Sequence, residues 1–203
     1  SSLYEDTGKI EIMTKDIPPE NVEDISTEVT DTSIKLVWEY NYLEDFSEYR
    51  ITRNGNKITT IGSIGTTVFT DELDVSSENS YDYLIEVLDQ SKNNISFNSI
   101  KIYKNSDLKE LYKGKLYLDV DVENNSMNIE YSDDITDKKD YTIKYYDTGE
   151  AQYNSISDTI NTREIYIQRD IEFKSGRYKI EVYDGNTKER EYTFELTESG
   201  DII

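Results

Sequence analysis

The stretch Thr67–Val87, TVFTDELDVSSENSYDYLIEV, decides the fold. Val68, Phe69 and Thr70 suit an extended chain, and Tyr81, Tyr83, Ile85 and Val87 repeat an apolar side chain at every second position. That period of two turns one face of a strand toward a core. Between the two runs lies a polar corner with a tyrosine directly behind it. The reading is strand, corner, strand, with the Tyr81 hydroxyl placed to bond back to the backbone of the corner.

Outward from this stretch the same alternation recurs. Ile34, Leu36 and Trp38 share one face of Ser33–Trp38, and Tyr49-Arg50-Ile51-Thr52-Arg53 runs into Asn54-Gly55, a hairpin turn signal. Lys57–Ile61 returns, and Phe97–Tyr103 closes the set. Ahead of them, Lys9–Thr14 alternates and Ile17-Pro18-Pro19 is an extended lead-in, since neither proline can donate to a ladder. Short strands with turns between them form the pattern of a β-sandwich. The expected organisation is a lead-in over residues 1–16 containing a short strand, then a first domain over 17–103.

Residues 17–103 resemble a fibronectin type III domain. The resemblance rests on the prolines before Val22, on Trp38 ending the second strand, and on Tyr49 and Ile51 in the third. Phe69-Thr70-Asp71 and Leu73 before the corner, and the alternation from Tyr81 to Val87, complete it. It implies two antiparallel sheets and use as a spacer or binding module, with no catalytic residues to carry over.

The second half repeats the first. Met127-x-Ile129-x-Tyr131 matches Ile34-x-Leu36-x-Trp38, Tyr141-x-Ile143-x-Tyr145 matches Tyr49-x-Ile51-x-Arg53, and Tyr178-x-Ile180-x-Val182 matches Tyr83-x-Ile85-x-Val87, at offsets of 93, 92 and 95 residues. A repeated order at nearly constant offset argues for two related sandwiches. Gly176 falls where Tyr81 would supply the corner tyrosine, so the second unit, 115–203, is expected to be fibronectin type III-like or immunoglobulin-like. Residues 104–114 carry a capping residue, apolar positions at helical spacing and a terminal Gly, which predicts a short helical linker. The fold class is therefore all-β, two tandem antiparallel β-sandwiches.

Composition narrows the function. There are 22 basic and 43 acidic side chains, a formal charge of −21 spread over both halves. Phosphate backbones repel such a surface, which argues against nucleic acid. With no His and no Cys, zinc centres, disulfides and the usual nucleophilic dyads and triads are ruled out. Carboxylates are the remaining acid–base groups, and they sit mainly in loops and at outward positions, so no enzyme and no cofactor is expected. No apolar run reaches the length of a bilayer, so no membrane insertion is expected of this segment. Richness in Ile, Asn, Lys and Tyr with a single Ala, Ala151, suggests an AT-rich bacterial genome.

Two groups of residues are candidates for binding. Asp133, Asp134 and Asp137 cluster between predicted strands and could hold calcium through loop carboxylates. Tyr146, Tyr153, Tyr166 and Tyr183 lie out of phase with the predicted core and could stack on sugars, although tyrosine also serves as a cross-strand filler. The leading expectation is a non-catalytic module of a bacterial surface or secreted protein, extracellular, with a protein or glycan partner. The alternatives are a phage tail or baseplate component and an accessory carbohydrate-binding module.

Overall fold

The computed structural model describes residues 16–104, 106–134, 139–146, 154–155, 160–162 and 166–203. These residues form fifteen strands and one 3-10 turn at Val75–Ser77. In the first half the strands are β1 (Glu23–Val29), β2 (Ser33–Glu39), β3 (Phe46–Arg53), β4 (Asn56–Ile61), β5 (Val68–Glu72), β6 (Ser80–Asp89) and β7 (Asn94–Tyr103). The second half supplies β8 (Lys109–Asp121), β9 (Ser126–Asp133), β10 (Lys139–Tyr146), β11 (Asn154–Ser155), β12 (Ile160–Thr162), β13 (Tyr166–Glu172), β14 (Gly176–Asp184) and β15 (Thr187–Leu196). Among the described residues no helix is long and apolar enough to cross a membrane.

The strands form three antiparallel sheets. A three-stranded sheet runs β1-β2-β5, a seven-stranded sheet runs β13-β9-β8-β7-β6-β3-β4, and a third runs β11-β10-β14-β15 with β12 also on β10. The first sandwich closes β1-β2-β5 over β3, β6 and β7 around Leu36, Trp38, Tyr49, Tyr83, Ile85 and Ile100. The second closes β8, β9 and β13 over β10, β14 and β15 around Leu118, Ile129, Tyr131, Ile143, Ile180 and Phe194. The three repeated motifs occupy corresponding strands, β2 with β9, β3 with β10 and β6 with β14, and all their shared apolar positions are buried.

Both corners are closed by tyrosine. The Tyr81 hydroxyl lies 3.2 Å from the carbonyl oxygens of Asp74 and Val75, over a turn whose Asp74 carboxylate accepts from the Ser76 N–H at 2.9 Å. In the second sandwich Gly176 does replace the corner position, yet Tyr178 takes over the task. Its hydroxyl donates to the Lys174 carbonyl at 2.7 Å and accepts from the Lys174 N–H at 3.3 Å. Asn54 and Gly55 both have positive φ, 49° and 79°, as the tight hairpin between β3 and β4 requires.

The predicted helical linker is corrected to a turn followed by a strand. From Lys109 the chain pairs with β7 through nine residue pairs, Ile102↔Lys109 to Asn94↔Tyr117. Leu108 and Leu111, two of the residues on which the helical spacing rested, are 55% and 59% exposed, whereas Tyr112, Leu116 and Leu118 alternate into the core. The neighbour's free ladder outweighs a helical pattern only three residues deep, because a short helix has too few hydrogen bonds to offset its nucleation. Opposite Phe97 in this ladder stands Gly114, where a Cβ would collide with the Phe97 ring and the Ser132 carbonyl oxygen.

Candidate functional site

The pairing of β7 with β8 makes the middle sheet continuous across both sandwiches, and that continuity builds the junction. On one face of β6 and β7, Tyr83, Ile85, Val87 and Ile100 enter the first core. On the other face, Leu88, Ile95 and Phe97 enter the second core, with Leu84 packed against it. These two strands are thus buried on both sides, in a local three-layer stack. The Phe97 ring stacks on Tyr192 of β15 with centroids 4.8 Å apart.

Between those apolar contacts lies a buried polar group. Glu86 is 1% exposed and accepts from the Tyr192 hydroxyl at 2.8 Å. Its second oxygen, Oε2, faces Arg50 Nε at 4.0 Å, and Arg50, also buried, reaches Glu48 at 3.3 Å. Burial pushes the Glu86 carboxyl above its usual range, against the opposing pull of Arg50 and the Tyr192 hydrogen bond. Glu86 and Arg50 open on a cleft of about 370 Å³ whose walls carry Lys57 of β4 and Arg177, Lys179 and Glu191 of the third sheet. Nearby, Arg190 lies over the Tyr112 ring and bonds the Ser99 hydroxyl, while the Tyr112 and Tyr131 hydroxyls meet at 3.1 Å. The polar contacts that cross between the halves are Tyr192 to Glu86 and Arg190 to Ser99, and they fix how β15 lies against β6 and β7.

Of the residues singled out in the sequence, those described lie elsewhere. Asp133 is buried at the end of β9 with the Tyr141 hydroxyl 3.4 Å from each of its oxygens, and Asp134 is exposed. Asp137 and Tyr153 lie outside the described residues. Tyr146 carries the Arg177 guanidinium 4.4 Å over its ring, and the Tyr183 hydroxyl donates to Glu181 at 3.1 Å. Glu181 in turn takes Lys144 at 2.5 Å, so both tyrosines belong to the ladder of ion pairs on the outer face of the third sheet. Tyr166, on β13, is 42% exposed. Tyr146 and Tyr183 thus lie on the third sheet and Tyr166 on the seven-stranded sheet.

Glu86 falls on what reads as the outward phase of β6, so the alternation alone does not predict its burial with Arg50 and Tyr192. A signal was there: Leu84 and Leu88 are apolar on that same phase, as they are in a strand covered on both faces.

In each half three strands, β1-β2-β5 and β13-β9-β8, face four, β4-β3-β6-β7 and β12-β10-β14-β15, with a tyrosine closing the corner. This is the fibronectin type III strand order, and the chain is a pair of such β-sandwiches joined through one continuous sheet. No protein-family model matches it, and no curated protein is similar to it. Solved structures do align over most of its length. They include a two-domain fibronectin type III segment from chicken tenascin, at 14% identity and a TM-score of 0.31, over 88% of this chain and 99% of that one. The central fibronectin III array of RIM-binding protein aligns at 10% identity and 0.35, over 86% and 67%. The FN1–FN3 domains of chicken CNTN1 align at 13% and 0.26, over 88% and 67%. The assignment of fold rests on the strand order and the two corners.

Proposed function

We propose that this chain is a non-catalytic, rigid two-module scaffold of a bacterial surface or secreted protein, holding surfaces for a protein or glycan partner at fixed separation. The observation that carries this reading is the nine-pair ladder between β7 and β8, which replaces a flexible linker with continuous sheet. A hinge here would have to break backbone hydrogen bonds and expose Phe97 and Leu88 together, whereas modules on a simple linker move by default. The acidic surface supports an exposed, non-aggregating part, and the composition supports a bacterial source.

Residual dipolar couplings measured on both sandwiches test the rigidity. A single alignment tensor for the two halves is the expected result. Two independent tensors would refute a rigid scaffold. Surface exposure is tested separately, by labelling intact cells of the source organism with an antibody to this segment.

A further inference from the structure

Pro18 and Pro19 carry no N–H to donate to a ladder, and residues 16–22 belong to no strand. Carbonyls of this lead-in are met instead by side chains of β7. The hydroxyl of Ser96, a residue 0% exposed, donates to the Pro19 carbonyl, and the Asn98 amide donates to the Val22 carbonyl at 3.0 Å. Ser96 and Asn98 share the face of β7 opposite Phe97, whose ring enters the second core. The lead-in therefore lies along β7 on the side away from the second sandwich. Pro19 is buried there, and Val22 is part of the first core.

Asn21 reaches beyond β7. Its amide nitrogen donates to the Phe97 carbonyl and, at 2.9 Å, to the Gly114 carbonyl. Phe97 and Gly114 are partners in the β7–β8 ladder, so one side chain grips both strands of the seam, one from each sandwich. At this pair β8 has no side chain to pack, because a Cβ on Gly114 would strike the Phe97 ring. A glycine inside a strand weakens its ladder, and Asn21 sits at that glycine. Glu20 adds an ion pair to Lys115 of β8 at 3.5 Å, but Glu20 is so exposed that the pair contributes little.

We propose that residues 16–22 are a latch across the junction. Docked, with Asn21 on Phe97 and Gly114, they hold β8 to β7. Released, they let the seam open at that pair while both sandwiches stay folded. The inference rests on the reading of the pair as a rigid scaffold, and it places control of that rigidity in the lead-in. A few side-chain hydrogen bonds hold the latch, not a ladder, so it detaches at less cost than either sandwich unfolds.

Amide hydrogen exchange of the whole chain is the test. Asn21→Asp keeps the shape of the side chain but sets an acceptor against two carbonyl oxygens. Amides of the β7–β8 ladder around Phe97 and Gly114 should then exchange about tenfold faster than in the parent, while those of β3–β6 and β14–β15 keep parental rates. Asn21→Ala should act in the same place more weakly, and Glu20→Gln should leave every rate as it was. Equal acceleration of all core amides would make Asn21 an ordinary stabilising contact and overturn the latch. Parental rates at the seam in both Asn21 variants, or seam acceleration in Glu20→Gln, would overturn it too. The scaffold reading fails separately, by two alignment tensors in the parent chain, whatever these rates are.

Discussion

The hydroxyl of Tyr81 is a single oxygen atom on which a corner depends. It is buried against two carbonyl oxygens of the turn at Asp74 and Val75, so Tyr81→Phe leaves the ring in place and strands those acceptors. The expected cost is about 1–3 kcal/mol, measured by urea denaturation. Tyr178→Phe should cost a similar amount, because its hydroxyl both donates to and accepts from Lys174. A parental midpoint in either variant would show that water satisfies the turn without the tyrosine. Burial holds the Tyr178 hydroxyl up at about 12, so it stays a donor throughout the physiological range. Gly114 depends on space rather than on hydrogen bonding. Gly114→Ala must push aside either the Phe97 ring or the β9 backbone, and should lose about 1–3 kcal/mol, the usual range for overpacking. Pairing Gly114→Ala with Phe97→Leu should recover part of that loss, which tells a steric clash from a backbone effect.

At the scale of elements, β6 and β7 carry the organisation, since each supplies side chains to two cores. Glu86 shows what that double burial demands. Its raised carboxyl means that the folded chain holds this proton more tightly than the unfolded chain does. Stability from this group is present below the ordinary value of 4.5 and is lost as pH rises from there through the raised folded value. Glu181 and Glu191 titrate in the opposite sense. Burial works against them, but Lys144 and Lys188 hold their carboxyls below the ordinary range, so their contribution is kept above 4.5 and lost as pH falls. Glu86→Gln should therefore gain stability on the parent as pH rises from about 5 to 8, read from denaturant midpoints at each pH. An equal gap at both ends of that window would mean that Arg50 fully compensates the buried charge.

At the scale of the molecule, two sandwiches that share strands should not unfold as two. Separating them strips one face of β6 and β7, exposing Leu88, Ile95 and Phe97 and stranding Glu86 away from Tyr192. Calorimetry should show one transition with equal calorimetric and van't Hoff enthalpies, and Tyr81→Phe should lower the melting of both halves together. Two resolved transitions would show that the seam is weaker than the sheet geometry implies. The alternation of Ile34, Leu36 and Trp38, of Tyr81 to Val87, and of their repeats in the second half was enough to determine two sandwiches and their buried faces. Period-two patterning is local, and each strand reports its own inward side. The junction was decided only by tertiary structure. Whether Glu86 faces water or a second core, and whether Lys109–Leu111 turns into a helix or joins β7, depend on which sheet lies over which and which strands pair. Those contacts join residues tens of positions apart, Glu86 with Tyr192 among them, and no periodicity within a strand encodes them. The strand, corner and strand of Thr67–Val87 stand as their sequence describes them. What folding added is the opposite face of its second strand, where the first sandwich becomes part of the second.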